Sequence, residues 1–282
     1  MRLLVLIIAL LSLPALGADA APLRFAPLPM VDKELMVQEF LGPVRYMTEH
    51  SGQPIELVHT ASYDELIKRF SRNEIDLAYI GPLPYLLLNR NAGTAQPLVR
   101  FLEPDGRDTY TCALVVFGHA SFDPATSGDA RLTLPDPQST CGRASIDPLL
   151  RSRAVDPSGL RVNYAGRHDA VALAVVLGET DVGGLKTAIA RKYSSLGLHI
   201  VAESPPVPGF VLVANPQTVS EAIQSRLRDA LLALPKAGTE AAQAQTHGWN
   251  ASLRHGAVSA EDRDFDTLRV TLQAGENQRG EQ

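Results

Sequence analysis

The amino-acid sequence predicts an α/β protein of two lobes with a ligand cleft between them. Strand-like runs alternate with amphipathic helical segments over about 200 residues, the pattern of strands joined by crossover helices. A chain of 282 residues exceeds one ordinary domain and suffices for two cores. Two extended crossings, at residues 99–111 and 202–211, are the expected joints.

Residues 23–26 read as the first strand, residues 32–50 as the first helix and residues 55–59 as the second strand. Ser62 then opens a helix with Glu65 three residues on, a capping box. Behind it Tyr63, Leu66, Ile67 and Phe70 fall on one apolar face. Residues 77–80 are a buried-type strand stopped by Gly81 and Pro82, and a helix runs from there to about Asn91. Extended runs at 97–101 and 110–117 flank the turn-rich Glu103-Pro104-Asp105-Gly106. After a loop rich in Pro, Asp and Ser, a helix starts near Thr140. A strand at 161–164, a helix at 167–177 and a short extended stretch at 181–183 follow. A strand at 211–214 and helices at 219–234 and from about Asp262 complete the alternation, and the polar residues after Ala274 read as a frayed tail. The sheets are expected to be mainly parallel. The expected division is lobe 1 from 21–104 plus 206–274, lobe 2 from 105–205, and a flexible tail at 275–282. Ligands of α/β sheets sit beyond the carboxyl ends of strands, so the cleft between the lobes is the default site.

Composition narrows the function. Formal net charge is −5, whereas phosphate-backbone binding normally leaves a basic excess, so nucleic acid is not the expected partner. A single tryptophan, Trp249, offers no stacking platform for bases or glycans. Two cysteines are too few for a disulfide scaffold or a four-thiolate metal site. There is no Walker loop and no H-E-x-x-H, and the seven histidines are scattered singly, so neither metal nor cofactor is expected.

The N-terminus carries an address. Met1 and Arg2 precede a short apolar run, then Ala18-Asp19-Ala20, which together describe a cleavable secretory signal peptide over residues 1–20. The run is well short of the ~20 residues that a bilayer span needs. No cysteine follows it for lipid attachment. The mature protein is expected to be soluble, monomeric and periplasmic.

The most informative stretch is Asp136-Pro137-Gln138-Ser139-Thr140-Cys141-Gly142. A turn delivers two hydroxyls and a glycine to a helix start, where free amides and the dipole favour an anion. Two readings stand: Ser139 or Thr140 caps its helix, or both hold a ligand. Gly142 favours the second, because a glycine lets a ligand approach the backbone.

This stretch resembles the Asp-Pro-x-Ser-Thr-Ser-Gly loop of the periplasmic phosphonate/phosphite-binding proteins of ABC importers. The stretch Asp76-Leu77-Ala78-Tyr79-Ile80-Gly81-Pro82-Leu83-Pro84-Tyr85 is similar to that family's strand-to-helix turn. Ala165-Gly166-Arg167-His168-Asp169 is similar to its Gly-His-acid segment, Pro206-Val207-Pro208-Gly209 to its returning hinge, and residues 262–269 to its closing helix. The matches cover essentially the whole mature chain, in order. The resemblance implies a type II periplasmic binding-protein fold without enzymatic activity. It also implies a hinge, a small oxyanion ligand and a membrane permease as partner.

Carried over by position, the ligand residues fall on Ser139 and Thr140, with Tyr63 and His168 closing the pocket, Tyr79 in the aromatic loop, and Cys141 and Tyr110 beside them. Each has a plainer reading from the residues alone. Tyr63 lies on an apolar helix face, His168 at a helix start, and Tyr110 opens a strand that packs. His168 would serve a dianion as neutral Nε2–H donor, or as imidazolium below neutral pH. This chain departs from the pattern at Cys141, which replaces a third hydroxyl, and at Ile80, which replaces an aromatic. It has no carboxylate near Ala188 and has Phe210 after the hinge, which points away from a cationic tail.

Two cysteines in an exported protein favour a disulfide, and the resemblance sets the strand of Cys112 beside the loop of Cys141. The rival is a thiolate nucleophile at Cys141 with His168 as base. A further alternative keeps the fold but makes it the sensory input of a membrane histidine kinase.

Overall fold

The computed structural model describes residues 21–91, 95–118, 129–235 and 238–280. The expected signal peptide lies outside them. Among the described residues no helix is long and apolar enough to cross a membrane.

The strands are β1 (Leu23–Pro27), β2 (Ile55–Leu57), β3 (Leu77–Ile80), β4 (Gln96–Phe101), β5 (Thr109–Tyr110), β6 (Cys112–Phe117), β7 (Arg131–Leu134), β8 (Arg161–Tyr164), β9 (Val182–Lys186), β10 (Leu198–Glu203), β11 (Val207–Pro208), β12 (Val211–Ala214) and β13 (Ala257–Ser259). The helices are α1 (Lys33–Ser51), α2 (Tyr63–Ser71), α3 (Pro82–Asn91), α4 (Ser145–Ser152), α5 (His168–Val176), α6 (Thr187–Lys192), α7 (Glu221–Leu232), α8 (Glu240–Gln245) and α9 (Asp266–Gly280).

They build a two-lobed α/β fold, as the sequence predicts. One sheet has the order β13-β4-β12-β3-β1-β2, and the second has β10-β6-β9-β7-β8. The expectation of mainly parallel sheets is corrected: parallel pairing is confined to β1 with β2 and β3, and β7 with β8 and β9. The reason is the crossings. The first leads into β6 and the second into β12, and each of these lies inside its sheet antiparallel to both neighbours, while β13 adds an antiparallel edge beside β4.

Local chemistry explains the helix starts. Asp32 caps α1 by accepting from the Leu35 amide at 3.1 Å. Ser62 caps α2 through the Glu65 amide at 3.1 Å, while the Glu65 carboxylate reaches back to the Ala61 amide, one residue earlier than a capping box requires. The apolar face of α2 is buried as its spacing predicts. In lobe 2, β6 alternates: Ala113 and Val115 pack toward α5, while Leu114 and Val116 join the opposite core. Each such buried Val or Leu contributes roughly 1.5–3 kcal/mol.

Other details differ from the sequence reading. The run at 110–117 breaks at Thr111 into β5 and β6, which belong to different sheets. The stretch at 181–183 extends to Lys186 and is followed by α6 and β10, which no pattern announced. The last helix continues to Gly280.

The two crossings meet. β5 pairs antiparallel with β11, Tyr110 opposite Val207, as a ribbon between the lobes. Gly209 closes this ribbon by donating to the Asp108 carbonyl at 2.7 Å. A Cβ there would lie 2.9 Å from the carbonyl oxygens of both Asp108 and Phe101, so the crossing admits only glycine without a shift.

Candidate oxyanion site

The Ser-Thr loop takes its shape from its own polar atoms. The Asp136 carboxylate accepts from the Gln138 amide at 2.7 Å, and its carbonyl accepts from the Ser139 amide at 3.0 Å. The chain then turns through an irregular segment, Thr140–Ala144, non-helical at Cys141 and Gly142, before α4 begins at Ser145. One expectation is corrected here and one is sharpened. Ser139 and Thr140 stand ahead of the regular helix, so their placement owes less to its dipole than to the turn. Gly142 is required first by the loop itself: a Cβ there would lie 2.7 Å from the Asp136 carbonyl oxygen, so the glycine lets the loop fold on itself.

Cys141 is bonded to Cys112 at the start of β6, with Cα atoms 5.2 Å apart. The bridge pins the loop to the strand that follows the hinge ribbon. It also removes the thiolate-nucleophile alternative, since both thiols are consumed.

The loop forms one wall of a narrow chamber lined by Tyr63, Tyr110, Ser139, Thr140, His168, Lys186, Leu28, Gly81, Pro84 and Phe210. Its free space is about 10 Å³, that of a single water-sized sphere, so the walls stand nearly closed on one another. The wall opposite Thr140 is the start of α3. Pro82 and Pro84 have no N–H, so Leu83 carries the single amide among these three residues. That amide donates to Thr140 Oγ1 at 3.0 Å, joining the lobes. The Tyr63 phenol lies against Ser139 and the Tyr110 phenol against Thr140. Burial pushes both phenols well above their ordinary range, so both remain O–H groups.

His168 is held from behind. The Lys186 amide donates to its Nδ1 at 3.0 Å, which requires the proton of the neutral ring to sit on Nε2. Burial, reinforced by the Lys186 ammonium, lowers its pKa to about 3. His168 is therefore a neutral Nε2–H donor, and the imidazolium expected below neutral pH forms only as the pH falls toward 3.

Of the sequence-predicted residues, Tyr63, Tyr110, Ser139, Thr140 and His168 come together around the chamber. Tyr79 does not: it stacks on Phe210 with ring centroids 5.2 Å apart, among core residues. Cys141 is occupied by its bridge. Sequence reasoning missed Lys186, whose ammonium pairs with Glu103 at 2.6 Å, with side chains only 9% and 13% exposed. Its signal was positional, since it ends β9, and strand carboxyl ends face the cleft.

His168, Lys186 and Phe210 also border a wider outer cavity. Its lining includes Ala188, as expected for a tail region, but also Glu39, Glu103 and Asp169. The expectation that this region lacks carboxylates is thus corrected. The acids come from α1, the first crossing and α5, too far apart in sequence to read as one cluster. Glu103 is paired with Lys186, Asp169 with Arg167, and Glu39 accepts from Asn250. Among the described residues no group of three or more His, Cys, Asp or Glu is placed to hold a metal ion.

Comparison with known proteins bears on this geometry. Residues 25–265 match the family model described as ABC transporter, phosphonate, periplasmic substrate-binding protein. The chain is 23% identical over 198 residues to the phosphate-import protein PhnD of Mycolicibacterium smegmatis, which covers 61% of this chain and 59% of that protein. In fold it is similar to PhnD1 of Prochlorococcus marinus, solved in complex with methylphosphonate. The TM-score is 0.76 with 15% identity, covering 90% of this chain and 98% of that one. A binding component of a phosphonate ABC transporter from Pseudomonas aeruginosa matches with TM-score 0.74 and 17% identity, covering 89% of this chain and 85% of that one.

Proposed function

The chain belongs to the periplasmic substrate-binding proteins of phosphonate ABC transporters, and from that premise we propose that it captures a small phosphonate- or phosphite-type oxyanion between its lobes. The observation that carries this is the donor set of the inner chamber. Two phenols, two hydroxyls and a neutral imidazole N–H converge there, and no carboxylate is among the lining residues. Such a set suits tetrahedral oxygens. Ser139, Thr140, Tyr63, Tyr110 and His168 are the proposed contacts.

In this reading the lobes, 21–104 with 206–274 and 105–205, turn about the β5–β11 ribbon, and a bound anion favours the closed arrangement by bridging both walls. Largely neutral donors keep the complex reversible, as delivery to a membrane permease requires. Residues 1–20 direct export to the periplasm, where this family works.

A thermal-shift screen followed by calorimetry tests the reading, using phosphite, phosphate, methylphosphonate, aminoethylphosphonate, sulfate and carboxylates. Saturable stabilisation by a phosphorus oxyanion, absent with carboxylates, is expected. No stabilisation by any of the phosphorus oxyanions would overturn it. Pull-down against the cognate permease separates import from a sensory role.

A further inference from the structure

Lys186 and Glu103 form the most deeply placed ion pair bordering the site, and the donor set does not need them. The Lys186 Nζ lies 2.6 Å from Glu103 Oε1, 4.7 Å from the Tyr110 ring centroid and 5.4 Å from that of Phe210. Both rings line the inner chamber, and Lys186 lines both cavities, whereas Glu103 lines only the outer one. The ammonium therefore stands at the partition between the two spaces, with its counter-ion on the far side.

We propose that Lys186 is the charged member of the oxyanion site and that Glu103 is its resident counter-anion, sharing the ammonium with the ligand when one binds. This rests on the oxyanion reading of the inner chamber.

An ammonium buried alone is costly, and truncating one partner of a buried pair leaves the other unpaired. A lysine in this wall without a carboxylate would be unstable before ligand entry and would hold any anion too firmly afterwards. With Glu103 present the partition is neutral, and an arriving oxyanion meets a positive charge that is already half satisfied. The two aromatic faces stabilise the ammonium without competing for its N–H groups. Lys186 also orients the site through its backbone, since its amide fixes the His168 tautomer. One residue thus supplies charge and controls the neighbouring neutral donor. Side-chain substitution removes only the first role.

Calorimetry with methylphosphonate and inorganic phosphite on three proteins tests this. They are the wild type, Glu103→Gln, and the double variant Lys186→Met with Glu103→Gln, which leaves no lone charge buried. Each is checked for an unchanged far-ultraviolet spectrum and a cooperative melt without ligand. The double variant is expected to bind about thirtyfold more weakly than the wild type, the scale of one charge-assisted hydrogen bond. Glu103→Gln is expected to bind more tightly, with a larger ligand-induced rise in melting temperature, because the ligand then becomes the sole partner of Lys186. A double variant binding within about twofold of the wild type would reduce the pair to a structural tie. Glu103→Gln binding more weakly than the wild type would overturn the counter-anion role. Both results leave the oxyanion reading standing, whereas a wild type that binds neither probe removes that reading and this inference together.

Discussion

On the side of the five-stranded sheet, the inner chamber is walled by buried polar groups that are fixed in place. Ser139 and Thr140 sit in a self-bonded loop, the bridge to Cys112 pins that loop, and His168 is locked by a backbone amide. On the side of the six-stranded sheet, the wall is Leu28, Pro84 and Phe210, with the Tyr63 phenol and the Leu83 amide as its polar contributions. The contrast teaches a division of labour. In the proposed reading one lobe carries a preassembled set of donors, and the other closes over it and adds a few directed contacts. Preassembly lowers the ordering cost of binding.

The largest expected effect breaks the polar wall. Ser139→Ala with Thr140→Val should lower oxyanion affinity about 100-fold or more, because two hydrogen bonds to a charged ligand vanish together. Calorimetry reads this directly, and circular dichroism should show the fold retained. Equal binding by this variant would place recognition on the other lobe.

Cutting the tie comes next. Replacing Cys112 and Cys141 with Ala should destabilise the protein by about 3 kcal/mol, given a bridge that spans 29 residues of sequence. Urea unfolding measures the loss. An unchanged midpoint would mean that the loop holds its shape without the bridge.

His168→Ala should weaken binding by about 1–3 kcal/mol. His168 also predicts a pH effect on stability. Its pKa is near 6.5 when unfolded and about 3 when folded, so between those values the unfolded chain binds more protons. The stability contribution is thus present above pH 6.5 and lost as pH falls toward 3. A melting series from pH 7 to pH 4 should drop less steeply in His168→Gln than in the wild type. The smallest effect belongs to the closing wall, where Tyr63→Phe should cost about 1 kcal/mol of affinity by calorimetry. A Tyr63 effect larger than that of His168 would reverse the proposed division.

The legibility of this molecule follows the same contrast. The apolar face of α2, the strands at 77–80 and 211–214, and the crossings rich in Pro and Gly are local patterns, and each appears where its pattern places it. Strand direction was not legible, because it depends on which strands become neighbours after the chain crosses between lobes. α6 has six residues, too few for a periodicity, and β10 is largely half-exposed, so neither announces itself. In the site, the Ser-Thr loop and the Gly-His-acid segment stand out as motifs. Lys186 does not, since a lone lysine at the end of Gly183-Gly184-Leu185 reads as solvent-facing until Glu103, 83 residues away, is folded against it. Gly142 was legible as a requirement but not in its cause, which is the carbonyl of a residue six positions earlier in the same loop.

Because β5 and β11 hydrogen-bond to each other, the two threads passing between the lobes cannot flex independently. In the proposed hinge closure they would bend as a single plank. Tyr110 belongs to that ribbon and also lines the inner chamber, so the proposed pivot and the proposed site share a residue.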